Sequence, residues 1–139
     1  MFTAQSAIFL NDAKAEELTN QITDNSMDLR LCQKYSSNDI QAIHDKYAPE
    51  KERIRNEIEG LDKAENKEEY ADLIEELKTL RDEEDAEVEA IENEMSEKEE
   101  NINVENDLLE TQLEDVNANT EVFQKMLDES IEDNFGYFN

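Results

Sequence analysis

A chain of 139 residues with 39 Asp and Glu against 13 Lys and Arg carries a formal charge of −26, and only two Gly and one Pro interrupt it. That composition excludes turn-rich β architectures, and it disfavours nucleic-acid backbones and anionic lipid surfaces, which need clustered Lys and Arg. Leu, Ile, Val and Phe make up only about a fifth of the residues, too few for a large globular core, so the chain is expected to bury a narrow stripe and to gain the rest by association.

The first predicted helix covers residues 4–35, with Thr3 as its N-cap. Ile8, Ala15, Ile22 and Leu29 recur every seventh position, flanked by Leu18 and Cys32. Thr23 to Ser26 are four poor helix formers and mark a candidate break. Ser36-Ser37-Asn38-Asp39 is a run of capping residues and predicts a helix–helix turn. A second helix is expected over residues 39–60, kinked at Pro49 and carrying Ile40, Ile43, Tyr47, Ile54 and Ile58 on its apolar side. Gly60 suits its C-terminus.

A third helix, residues 66–133, opens at Asn66, which stands three residues before Glu69 in capping-box spacing. It holds most of the charge: residues 82–139 contain 21 of the 39 acids and only Lys98 and Lys125 as bases. Such acidity alone suggests disorder, yet an apolar residue recurs at nearly every seventh position, which argues for a helix with one buried stripe. With Ile74 at heptad position a, the candidate interaction seam is Ile74, Leu77, Val88, Ile91, Met95, Ile102, Leu109, Val116, Phe123 and Met126. Leu108, Leu113, Leu127 and Ile131 widen it. Glu84, Lys98, Glu105, Gln112 and Asn119 occupy d positions, a polar content that fixes register or partner at a cost in stability. Residues 134–139 form an aromatic tail. Gly136 is expected to stop the helix, leaving Phe135, Tyr137 and Phe138 as an anchor, against Phe2 and Phe9 of the same chain or against a partner.

The fold class that follows is all-α: an elongated helical bundle or coiled coil, in which two N-terminal helices fold back on one long acidic C-terminal helix. The whole of residues 1–139 is read as a single domain.

Little in the chain suggests catalysis. Cys32 and His44 are its only cysteine and histidine, and nothing supplies a third group to orient them or an oxyanion hole. Asp82-Glu83-Glu84-Asp85 lacks the alternating oxygen ligands and glycine of a calcium loop, and no Glu-x-x-His motif is present for a di-iron bundle. Lys51-Glu52-Arg53-Ile54-Arg55 reads as charge pairing along a helix face, continued by Glu59–Lys63 and Glu75–Lys78. No catalytic residue, metal, cofactor or small-molecule substrate is expected, and neither nucleic acid nor membrane is expected as a partner. No secretory signal or membrane-spanning stretch is read, so the expectation is a soluble protein, cytoplasmic or exported by a signal-independent route.

In composition and helix layout the chain resembles small helical proteins of bacterial secretion systems and phage structural accessories, although no motif carries a residue over from either. Three readings follow. The first is a non-enzymatic structural protein that self-assembles through helix–helix association, as a dimer or higher oligomer. The second is a small acidic secretion-type chaperone or adaptor that shields the helices of another protein. The third is an acidic nucleic-acid mimic.

Overall fold

The structure, a computed structural model, describes residues 3–138, with side chains over residues 3–133. It is all-helical among the described residues. Helix α1 spans Ala4–Glu59 and helix α2 spans Lys67–Phe138, and the two pack against each other. The chain divides into two compact units. Unit 1 comprises Met1–Leu29 with Glu100–Asn139, and unit 2 comprises Arg30–Glu99.

Unit 2 is a helical hairpin. Its core is Ile54, Leu73 and Leu77, with Ile58, Leu61 and Leu80 packed around them. The turn is short and held by its own backbone. Gly60 N–H donates to the Asn56 carbonyl at 3.1 Å and Leu61 N–H to the Ile58 carbonyl at 3.2 Å. Asp62 Oδ1 then accepts from the Ala64 N–H at 3.0 Å, the side-chain turn that aspartate favours. Gly60 does end α1, but without a positive φ, so its role here is not the left-handed cap that usually selects glycine. Asn66 supplies the first carbonyl of α2, bonded by the Tyr70 N–H at 2.9 Å. The expected capping box with Glu69 does not form, because the Asn66 N–H is already taken by the Asp62 carbonyl at 3.0 Å.

Unit 1 is an antiparallel helix pair built on Leu18, Leu109 and Val116, with Ala15, Ile22 and Leu113 around them. Thr3 caps α1 as expected: its Oγ1 accepts from the Ser6 N–H at 3.1 Å. Deeper in the pair, Asn25 Nδ2 donates to Asn106 Oδ1 at 3.0 Å, a half-buried bond between side chains 81 residues apart. Its geometry suits few alternative registers, which is the usual consequence of a polar pair on an apolar seam.

Several expectations are corrected. The two N-terminal helices are one helix: Ser36 to Asp39 is helical, and Pro49 lies inside α1. The capping preference of serine and asparagine is a local one, and here Ser36 and Ile40 continue a partly or fully buried row with Cys32, Ile43 and Tyr47. Tertiary packing outweighs it. Thr23 to Ser26 are helical as well, with the Thr23 and Ser26 hydroxyls each donating to the carbonyl four residues back at 3.0 Å. Gly136 does not stop α2, which runs on to Phe138. The side chains of Phe2, Phe135, Tyr137 and Phe138 lie outside the described residues, and Phe9 is 74% exposed.

The buried row of α2 also departs from the expected a/d frame. In unit 2 it runs Tyr70, Leu73, Leu77, Leu80, Glu84, Glu87, Ile91, which are d and g positions; in unit 1 it runs Ile102, Asn106, Leu109, Leu113, Val116, Thr120, Phe123, Leu127, which are a and e. After Ile91 the row continues through Met95 and Glu99 at four-residue steps. Such steps accommodate the mismatch between about 3.6 residues per turn and a strict seven-residue repeat.

Candidate functional site

With Pro49 and Lys51 on one helix and Glu84 on the other, the first notable feature is a charge inside the seam of unit 2. Glu84 is the one buried charged residue among those described, 6% exposed. Its Oε1 accepts from Lys51 Nζ at 3.0 Å and lies 3.1 Å from His44 Nδ1. Its Oε2 lies 2.8 Å from the same ammonium without an aligned hydrogen bond. The Lys51 ammonium, helped by His44, holds the Glu84 carboxyl below the usual carboxylate range, against burial that pushes it up. Beside this trio Lys46 pairs with Glu87 at 3.1 Å and sits 5.1 Å over the Tyr47 ring.

Lys51 therefore does not pair along its own helix face. Arg53 does, reaching Glu50 and Glu57. The signal that separates them is spacing: Tyr47, Lys51, Ile54 and Ile58 step by four, three and four, which places Lys51 on the buried row. Glu59–Lys63 and Glu75–Lys78 are not among the ion pairs of the described residues, and Lys63 instead lies 5.0 Å over the Tyr70 ring.

The trio is a structural charge cluster with a definite pH signature. Because the folded-state pKa of Glu84 lies below its unfolded value, its contribution to stability is present at neutral pH. It is lost as pH falls through the folded-state value. Lys51→Ala leaves the carboxylate buried beside His44 alone and is expected to cost about 1–3 kcal/mol at pH 7. The difference from wild type should shrink once acid protonates Glu84. Urea unfolding of both proteins at pH 7 and at acid pH measures this, and a penalty that stays constant with pH would contradict the assignment.

Cys32 and His44 are not brought together. Cys32 is a free, half-buried thiol, and His44 stands twelve residues further along the same helix, roughly 18 Å away at 1.5 Å per residue. Among the described residues no three His, Cys, Asp or Glu side chains are grouped to hold a metal ion. A cleft of about 480 Å³ opens in unit 2 between Gln33, Ser36, Ser37 and Ile40 of α1 and Glu92, Met95 and Ser96 of α2, where Ser36 takes the place of a larger residue on the buried row. No described helix is long and apolar enough to cross a membrane.

Leu77, Leu109 and Val116 are buried against α1, while Val88, Ile91, Met95, Ile102 and Phe123 are partly buried. Ile74 and Met126 are exposed, at 43% and 53%. Leu113 and Leu127 join the buried row, whereas Leu108 and Ile131 are exposed.

What periodicity alone did not distinguish is a second apolar set on α2 in unit 1: Val104, Leu108, Val122 and Met126, each more than half exposed. At about 100° per residue they lie on the flank and back of the helix relative to Leu109 and Val116. The signal was available as a seven-residue row, Leu108, Asp115, Val122, Glu129, in which apolar and acidic residues alternate. Unit 1 also differs from unit 2 in its charges. It holds 16 of the 39 acids against Lys14 and Lys125, and all seven ion pairs among the described residues belong to unit 2.

Compared with known proteins, the chain matches no protein-family model, no curated protein and no solved structure at a significant level.

Proposed function

We propose that this chain is a non-enzymatic protein that works by helix–helix association, with the exposed apolar set of α2 in unit 1 as its contact surface. The observation that carries this reading is that Val104, Leu108, Val122 and Met126 remain exposed after α1 has covered the opposite side of α2. A soluble helix gains nothing from a second apolar row unless something covers it. The seam read from the sequence as the meeting place for partners is largely occupied by the chain's own first helix, so association falls to this outer row. Self-assembly into a coiled-coil oligomer and shielding of another protein's helices both use such a surface. Nucleic acid and anionic lipid do not suit it, given the excess of unpaired carboxylates around it.

A photo-crosslinking side chain at Leu108 tests the reading in the native source. The expected result is a discrete crosslinked species, either a second copy or another helical protein, that disappears when Val122→Glu is added. The same probe at exposed Lys78 in unit 2 should give none. Equal labelling from both positions would overturn the proposal.

A further inference from the structure

We propose that the occupant of this outer row is a basic amphipathic helix of another protein, not a second copy of this chain. The inference rests on the association reading above and deepens it by naming the partner's chemistry.

Leu108, Asp115, Val122 and Glu129 follow one another at seven-residue steps along α2. A helix laid along them meets an apolar side chain, then a carboxylate, then the same pair again. Glu105, three residues before Leu108, borders the row, and Lys125 is the only base on α2 in unit 1. Neither Lys14 nor Lys125 forms an ion pair among the described residues, and on α2 in unit 1 only Lys125, four residues from Glu121 and from Glu129, offsets these carboxylates. Complementarity therefore asks for Leu, Ile or Met opposite Leu108 and Val122, and for Lys or Arg opposite Asp115 and Glu129.

Symmetry argues against a second copy. Oligomers of identical chains usually close by a two-fold, with the same patch on both sides. A parallel in-register pair places Asp115 on Asp115. An antiparallel pair that sets Leu108 against Val122 centres the two-fold on position 115 and brings the same two carboxylates together. Both arrangements place like charges directly across the contact, in a unit already carrying 16 acids against two bases. A basic helix turns each of these repulsions into an ion pair.

Charge alone would attract any cation, so the test separates charge from the row. The probes are three synthetic peptides: a Leu/Lys helix with leucines at i, i+3, i+4 and i+7, a scramble of the same composition without an apolar face, and a Leu/Glu counterpart. The protein is used as the full chain, wild type and the Leu108→Glu/Val122→Glu variant, with circular dichroism confirming unchanged helicity. Both substitutions add negative charge, so attraction by charge alone would strengthen. The expected result is binding of the amphipathic Leu/Lys helix at least tenfold tighter than its scramble, weakened at least tenfold by the double variant, with no binding of the Leu/Glu helix. Equal binding of helix and scramble, or binding unaffected or strengthened by the variant, would overturn the proposal. Sedimentation velocity separates its failure from that of the association reading. A wild-type dimer dissociated by the double variant would leave association standing with a second copy as occupant, whereas neither peptide binding nor self-association through the row would remove both.

Discussion

Replacing Ile54 with alanine is expected to lower unfolding free energy by about 2–5 kcal/mol, the largest loss of any single truncation in the chain. Among the described residues Ile54 is the only large side chain that is fully buried, and it packs on Leu73 and Leu77 next to the turn of unit 2. The apolar core is thin: eight apolar residues are buried among those described, and three of these make this contact. Since small proteins are commonly stable by only about 5–15 kcal/mol, this loss is a large share of the whole. Ile74→Ala is the informative control. Ile74 was the first a residue of the heptad frame, but it is 43% exposed, and its truncation should stay within about 0.5 kcal/mol. Urea titrations followed by far-UV circular dichroism measure both. Equal costs at the two sites would place Ile74 on the seam and contradict the d/g packing of α2 in unit 2.

The second large effect runs the other way. Pro49 is exposed and lies inside α1, where it gives no N–H to the Asp45 carbonyl. Pro49→Ala restores the donor and removes the ring from the preceding turn, and is expected to raise stability by up to about 3 kcal/mol. No buried contact is lost, because the ring faces solvent. The gain should appear as a higher urea midpoint with little change in the slope of the transition. A neutral or destabilising result would mean that Pro49 occupies the first turn of a separate helix, where its fixed φ is an advantage. That outcome would restore the break that α1 lacks.

The all-helical character was legible because two glycines and one proline leave nothing from which to build hairpins, and because apolar residues recur at helical spacing through the acidic tract. The helix start at Thr3 was legible for the local reason that makes it form, whereas the turn between Gly60 and Asn66 was legible in place only, since neither a left-handed Gly60 cap nor the Asn66–Glu69 capping box forms. Ser36 to Asp39 misled because capping preferences are properties of isolated segments, while Ile40, Ile43 and Tyr47 fix the helix through packing that no local pattern contains. The a/d frame misled more subtly. Its apolar residues are real, but the row that faces α1 drifts along α2, so Ile74 and Met126 fall outside it while Leu73, Leu80 and Leu113 fall inside. The steps from Tyr47 through Lys51 to Ile54 and Ile58 place Lys51 on the buried row, but its partner Glu84, 33 residues away, is invisible to neighbour spacing. The outer row of unit 1 needed the structure for another reason. Two apolar sets on one helix look like one wide stripe until something shows which of them is covered.

Within one chain α1 covers one side of α2, and the proposed partner surface lies on the other. The most direct test introduces Asn25→Cys and Asn106→Cys in a Cys32→Ser background, placing two thiols where the asparagine side chains meet at 3.0 Å. Oxidation of the dilute protein should give an intramolecular disulfide, seen as a faster-migrating monomer on non-reducing gels and as a peptide linking the two positions by mass spectrometry. Disulfide-linked dimers alone would contradict it, because the seam of α2 would then be met by another chain and not by its own first helix.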